Sequence, residues 1–469
     1  VDSNFILGTD SYKFSHWVQY PEKTTLVYSY LESRGGQFPS TVFFGLQAIL
    51  DQYLAGAVVT PDSYEEARTI SRLHFGNEAI FNEGGWQHIL TKHGGRLPLR
   101  IRAVLEGTVV PVHNVLMTIE NTDPDVPWLT NFVESQLLHV WYPTTVATQS
   151  REMKRLLLDS LVRTGTPETI DFKLHDFGYR GSTSNESAAL GGAAHLVNFK
   201  GTDTLLAIKL LRDHYHEEMG GYSIPAAEHS TIMAWGRSGE GQAFANMLNK
   251  FPQGLVAIVS DTYDIFSACA EQWGNALKAT VTARNGTVVV RPDSGEPMLV
   301  LPKILEILGD AYGTTENNKG FRVLPPCIRV IQGDGIDFWS LRAILIALES
   351  AGWSTDNITF GSGGGLLQKV NRDTCKFAIK ESQVIVDGEI RNVAKTPVTD
   401  TDKTSKAGRL SLVNNFGKWQ TVATDEFVSY GRDHLETVFL NGRVMATHTL
   451  AQIRERAALT VNNWPSTDS

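Results

Sequence analysis

No run of about 18 apolar residues occurs in this sequence, and "VDSNFILGTDSYK" at its start lacks a basic segment followed by an apolar one, so neither a membrane span nor a secretory leader is predicted. Cysteine is scarce: Cys269, Cys327 and Cys375 lie far apart with no CxxC spacing, which excludes a disulfide framework and a zinc knuckle and suits a reducing compartment. No block of five Lys or Arg is present, and 42 basic against 51 acidic side chains leave a net charge of −9. Nucleic acid and anionic membranes are therefore not expected partners. These absences predict a soluble cytoplasmic protein in which a few placed cations and backbone N–H groups hold any anionic substrate. GxSxG, HExxH and Walker A motifs are missing too, as is a strand ending in paired acids plus Thr-Gly. Hydrolase, P-loop and open-sheet phosphoribosyltransferase readings fall away.

What is present is a rhythm. From about residue 168, short β-branched runs end in "LHDFGYRG", "VNFKGTD", "SIPAAEHS", "AIVSDTYD", "VVVRPDSG", "RVIQGDGID" and "ITFGSGGG", with helical periods such as "DTLLAIKLLRDHYHEEM" and "DFWSLRAILIALESAG" between them. Repeated βα units make a parallel sheet, open or closed. Even spacing, with polar residues at each strand's C-terminal end, favours an irregular TIM-like α/β barrel whose site lies on that rim. Asp203 or Thr204 is placed to cap the first of these helices. The flanks alternate apolar and polar residues, as in "TTLVYSYLES" and "SQVIVDGEIRNV", and "NNFG" and "LNGR" signal hairpins. The expected fold class is α/β: residues 151–375 form the barrel, and 1–150 with 376–469 form one β-rich α+β domain.

The rim motifs point to a phosphosugar. Gly363, Gly364 and Gly365 follow a strand and open a helix, so bare N–H groups can converge on a phosphate; a tight turn packed under a helix is the alternative. Asp293 and Asp334 stand beside glycines at two other strand ends, where they can accept ribose hydroxyls, hold a metal, or only form Asx turns. Arg291 offers a bidentate fork for phosphate. Phe177 is either a stacking surface for a flat heterocycle or an ordinary core residue. "RDHYHEEM" has metal-like spacing but ends a helix away from the glycines, and reads as a solvated terminus. Glu228 and His229 interrupt an apolar run just before Ser230, as a solvated end or a site.

In order, "TDSYKFSHWVQYP", "TVFFGLQAIL", "ENTDP", "WYPTTVAT", "KLHDFGYRG", "AHLVNFKGTDT", "PAAEHSTI", "VSDTYDI", "RPDSG", "VIQGDGID", "FGSGGGLLQK" and "GRLSL" resemble the nicotinamide phosphoribosyltransferase family, type II phosphoribosyltransferases, over nearly the whole chain. The resemblance implies a head-to-tail homodimer with two interface sites. It also implies transfer of phosphoribosyl from 5-phosphoribosyl-1-pyrophosphate to nicotinamide, with Mg²⁺ and with ATP as co-substrate. It puts nicotinamide between Phe177 of one subunit and Tyr12 of the other, with Asp203 accepting from the carboxamide. A carboxylate there disfavours nicotinate: like charges about 4 Å apart at an effective dielectric of about 20 repel by roughly 4 kcal/mol. The resemblance further assigns Arg180 and Arg291 to the ligand and pyrophosphate. It assigns Asp293, Gly333, Asp334 and Gly364 to ribose and 5′-phosphate, Arg372 to a phosphate, and Asp261 to the developing cation or a metal-bound water. His229 matches a histidine phosphorylated by ATP. Arg34, Lys395 and Lys403 are candidate phosphate contacts, Lys395, Lys403 and Lys406 resemble a cationic loop from the partner subunit, and neither Lys376 nor Lys380 aligns cleanly with the basic position after "GGGLLQK". Competing expectations are a nicotinate phosphoribosyltransferase, opposed by Asp203, and a non-catalytic nucleotide or phosphosugar sensor, opposed by His229. A Schiff-base aldolase would need Lys200 to have a partner that lowers its pKa.

Overall fold

The computed structural model describes residues 4–399, 404–424 and 432–459. The chain divides into two compact units, one holding the chain up to residue 148, 212–217 and 371–458, the other 149–211 and 218–370.

In the second unit, six parallel strands are hydrogen-bonded in the order Gly201–Thr202, Leu174–Asp176, Ile358–Ser362, Ile328–Gln332, Asn285–Arg291, Gln253–Val259. The residues 222–226 close this sheet on itself. Tyr222 bridges Gly201 and Ala226 bridges Ala257, both in parallel. Thr202 N donates to Tyr222 O (3.0 Å) and Ala257 N to Pro225 O (2.9 Å). Seven staves thus follow one another around the ring in chain order. The seventh is reduced to bridges because Pro225 has no N–H to give. Inside, Ala257, Val289 and Ile331 from three strands form one cluster, onto which Phe177 and Ile224 pack. Their neighbours Val288, Val290 and Val330 are fully buried in turn, so these strands are covered on both faces, as parallel strands require.

The helices follow the sequence signals. Asp337 caps Phe338–Ser350 by accepting from Trp339 N and Ser340 N, both at 3.0 Å. Pro297 opens Pro297–Tyr312.

The first unit is built on a seven-stranded antiparallel sheet in the order Glu389–Asn392, Phe377–Val386, Thr24–Ser33, Val115–Asn121, Leu99–Ala103, Glu436–Leu440, Arg443–Val444. Three strands from the N-terminal part of the chain therefore form the middle of one sheet, with two strands from its C-terminal part on either side. At Asn441-Gly442 both residues have positive φ (48° and 80°), the conformation a two-residue hairpin turn needs. The segment 212–217 belongs to this unit, and Arg212, Asp213 and His216 are exposed, as expected of a solvated helix end, while two of its residues turn inward. Tyr215 is fully buried and stacks on Phe44 at 5.1 Å, and His214 Nδ1 donates to Asp51 Oδ2 at 2.7 Å. Its imidazole is held as a packing group.

No helix among the described residues is long and apolar enough to cross a membrane.

Candidate active site

The rim of the barrel begins with a buried carboxylate. Asp176 accepts from Gly178 N (2.7 Å) and Thr202 Oγ1 (3.0 Å), and burial pushes its pKa up. This turn lays Phe177 across the barrel mouth. A Cβ on Gly361 would stand 2.0 Å from the Phe177 ring, so only glycine there admits the ring. One side of Phe177 roofs the interior cluster and the residue stays half-buried. His175 lies 5.1 Å from it between ring centroids, and the Arg291 guanidinium 5.4 Å from its centroid.

Asp203 follows the short Gly201–Thr202 strand. Its Oδ1 accepts from His175 Nε2 at 2.9 Å and from Ser223 Oγ at 2.5 Å. Since the carboxylate can only accept, the proton of a neutral His175 is on Nε2. Burial works against the charge, but the bond from His175, its field, Ser223 and Arg291 outweigh it and hold the Asp203 pKa below the usual value. The side chain is therefore ionised and occupied at the rim; it does not cap the following helix. His175 and Ser223 escaped the sequence reading because neither has a glycine-flanked motif. Ser223 sits on the closing stave, which only the ring topology brings beside Asp203.

A second polar chain spans three neighbouring staves. His229 opens the His229–Met233 helix, with its Nε2 donating to Asp261 Oδ1 at 3.0 Å and its Nδ1 3.9 Å from Asp293 Oδ2. Asp261 Oδ2 accepts from Asp293 N at 2.9 Å and from the Ser294 hydroxyl. Asp293 Oδ1 in turn accepts from Arg291 Nη2 at 2.7 Å and Nε at 3.2 Å. Imidazole, two carboxylates and guanidinium are thus linked, with the His229 side chain 38% exposed. Glu228 turns aside to Ser230.

The third element is glycine. Gly365 cannot carry a side chain, since its Cβ would come within 2.2 Å of Ile336 O, whereas the space at Gly364 is open. The helix these glycines start, Gly364–Leu367, is one turn long, so its dipole is small and any anion held there depends on individual N–H groups. Gly333 lies against Phe177 and Arg291. Asp334 and Arg180 are exposed, and Gly363 is half-buried. Lys200 Nζ is engaged in an ion pair with Asp171 Oδ2 at 2.8 Å.

The remaining candidates lie in the first unit. Tyr12, on the 3₁₀ helix Ser11–Val18, is 57% exposed. Arg34 donates through Nε to Glu32 Oε1 at 2.9 Å, and Lys406 pairs with the other oxygen of the same buried carboxylate. Arg372 and Lys395 are exposed. Lys403 lies outside the described residues. Lys380, left unaligned by sequence, has its pKa lowered by burial and by the nearby positive charges of Arg34, Lys395 and Arg372, against the opposing field of Glu134. It marks the middle of a cationic group.

Comparison with known proteins follows the same lines. The model of the nicotinate phosphoribosyltransferase (NAPRTase) family matches residues 172–442, and that of the nicotinamide phosphoribosyltransferase N-terminal domain matches 4–101. A nicotinamide phosphoribosyltransferase of Xanthomonas campestris pv. campestris is 51% identical over 463 residues, 97% of this chain and 98% of its own. One of Acinetobacter baylyi is 32% identical over 97% of both chains. Among solved structures, the nicotinate-nucleotide pyrophosphorylase of Pyrococcus furiosus aligns with a TM-score of 0.61 at 15% identity, over 97% of this chain and 95% of its own. Human nicotinic acid phosphoribosyltransferase aligns at 0.56 and 14%, over 96% and 92%. At those identities the structures show the fold, and the sequence relatives show the rest: the chain is an enzyme of the nicotinamide phosphoribosyltransferases, within the nicotinate phosphoribosyltransferase family.

Proposed function

We propose that the enzyme transfers phosphoribosyl from 5-phosphoribosyl-1-pyrophosphate to nicotinamide, giving nicotinamide mononucleotide and pyrophosphate, and that ATP stimulates it through a phosphohistidine at His229. The observation that carries the choice of base is Asp203, an ionised carboxylate held by His175 and Ser223 beside Phe177. It can accept from a carboxamide N–H and repels a carboxylate.

In the reaction the C1–O bond to pyrophosphate breaks, the leaving group keeps the electron pair, and the pyridine nitrogen lone pair forms the new C1–N bond. No proton has to move, so the protein's task is to orient the base and neutralise the leaving group. Phe177 stacks on one face of nicotinamide and Tyr12 of a second copy covers the other. Arg180 and Arg291 meet the pyrophosphate, with Arg34 as a further phosphate contact and Lys395 and Lys403 contributed across a homodimer interface. Asp293 and Asp334 accept ribose hydroxyls, while Gly333, Gly363, Gly364 and Arg372 surround the 5′-phosphate.

The hard oxygens of Asp261 and Asp293 fit Mg²⁺, which binds proteins through one or two carboxylates plus substrate phosphates and supplies positive charge to the departing pyrophosphate. At His229, Asp261 accepts the Nε2–H and so leaves the lone pair on Nδ1. That nitrogen attacks the ATP γ-phosphorus as the β–γ bridging bond breaks.

The test is a competition. With phosphoribosyl pyrophosphate, Mg²⁺ and equal nicotinamide and nicotinate, nicotinamide mononucleotide should dominate and should increase with ATP. Mostly nicotinate mononucleotide would overturn the assignment of Asp203. No product of either kind would favour a binding-only sensor.

A further inference from the structure

Far from the barrel rim in sequence, the helix Glu83–His93 of the first unit ends against the loop that follows the Val115–Asn121 strand. There His88 Nε2 lies 2.9 Å, His93 Nε2 2.6 Å and Lys92 Nζ 3.0 Å from one oxygen, Oδ2 of Asp123, which is buried. The two imidazoles hydrogen-bond to that oxygen and use both of its lone pairs, so the Lys92 ammonium crowds it as an ion pair. The other oxygen, Oδ1, accepts from Asp125 N at 3.0 Å, which fixes the carboxylate's orientation. Asp125 Oδ2 stands 3.7 Å from His88 Nε2 and 3.5 Å from Lys92 Nζ.

We infer that His88, His93 and Asp123 form a site for a borderline divalent transition metal of the Zn²⁺ class, with Asp125 or water completing the coordination. Two imidazole nitrogens and a carboxylate are the donor set such ions prefer, whereas Mg²⁺ and Ca²⁺ prefer all-oxygen sites. The three ligand atoms lie within 4.8 Å of one another. Ligands about 2.0–2.2 Å from a common tetrahedral ion stand roughly 3.3 Å apart, so small rotations of the two rings accommodate it. Each neutral imidazole moves its proton from Nε2 to Nδ1 and presents the lone pair, with no net proton change. The Lys92 ammonium, on a half-exposed side chain, swings into solvent. A cleft of about 570 Å³ lined by Trp17, Tyr20, His88, Asp125 and Trp128 gives the ion a path in. Once bound, it ties the helix end to the strand loop by coordination in place of two hydrogen bonds and an ion pair.

Co²⁺ tests this directly in the untagged full-length protein after dialysis against chelator. One Co²⁺ per chain should bind at micromolar concentration with visible d–d absorption, be displaced by Zn²⁺, and be unaffected by millimolar Mg²⁺. His88→Gln and His93→Gln, which keep an amide donor toward Asp123, should each weaken binding at least tenfold. Lys92→Met leaves the ligand set intact and removes the competing cation, so it should tighten binding severalfold. No visible band below millimolar Co²⁺, equal binding by wild type and the double glutamine variant, or weaker binding by Lys92→Met would each overturn the assignment.

Discussion

The two ends of the barrel are made by the same strands and both are rich in polar side chains, yet they spend those groups differently. At the N-terminal end, buried Lys173 donates to the carbonyls of Thr355 (2.8 Å), Ile358 (2.9 Å) and Asp356 (3.3 Å). Thr355 Oγ1 is bonded to Ser160 and Thr164, and Asn357 links Leu324 N with Arg322 O. Every one of these partners is backbone or a buried hydroxyl. At the C-terminal rim, outside buried Asp176, charged groups pair side chain to side chain: His229 with Asp261, Arg291 with Asp293, His175 with Asp203, each pair having at least one member open to water. A group whose valence is used up by the backbone can only stabilise the fold. A group satisfied by another charge can exchange that partner for a ligand, which is why function gathers at one end of such barrels and stability at the other.

Breaking this contrast should begin at the rim. Arg291→Ala, which removes the guanidinium from Asp293 and the rim, should lower kcat/KM on the order of a hundredfold to a thousandfold in steady-state assays, with little change in the melting midpoint. Next in size, His229→Gln should abolish stimulation by ATP, and ³²P from γ-labelled ATP should no longer be retained on the protein, while transfer without ATP persists.

At the base the effect should invert. Lys173→Met leaves buried carbonyls without donors, at a cost of about 1–3 kcal/mol, visible as a lower unfolding midpoint with kcat/KM changed less than about twofold. Lys173 also supplies a pH signature. Burial pushes its pKa down to about 8 from an ordinary value above 10. Between those values the unfolded chain binds the proton and the folded one does not, so stability relative to Lys173→Met should rise with pH across that window in denaturant melts. The smallest effect should come from Ser223→Ala, which removes one of two bonds to Asp203. A few-fold loss of preference for nicotinamide, read from the product ratio, is expected.

Sequence carried most of this contrast and missed parts of it for identifiable reasons. The seven strand ends were legible because each pairs a β-branched run with Gly, Asp or Pro, and the structure arranges all seven in a ring. The weakness of the "SIPAAEHS" stave was not, since Pro225 limits hydrogen bonds only once its neighbours are known. Arg291 and Asp293 were picked from one motif, His229 from another and Asp261 through the family resemblance, but their linkage depends on staves being adjacent. His175 and Ser223 were invisible because their role is to hold Asp203, and holding leaves no mark in spacing. The helix after the triple glycine was legible at its start and not in its length. The solvated helix end was legible at Arg212, Asp213 and His216, but not the inward turn of His214 and Tyr215, which Asp51 and Phe44, far away in sequence, cover.

The central claim is that an ionised Asp203 at the rim chooses the base. The most direct measurement is kcat/KM for nicotinamide and for nicotinate in wild type and Asp203→Ala at one pH. The account predicts that wild type prefers nicotinamide by up to about a thousandfold, the equivalent of roughly 4 kcal/mol of like-charge repulsion, and that the variant loses most of that preference by gaining activity on nicotinate. An unchanged ratio in Asp203→Ala would contradict it.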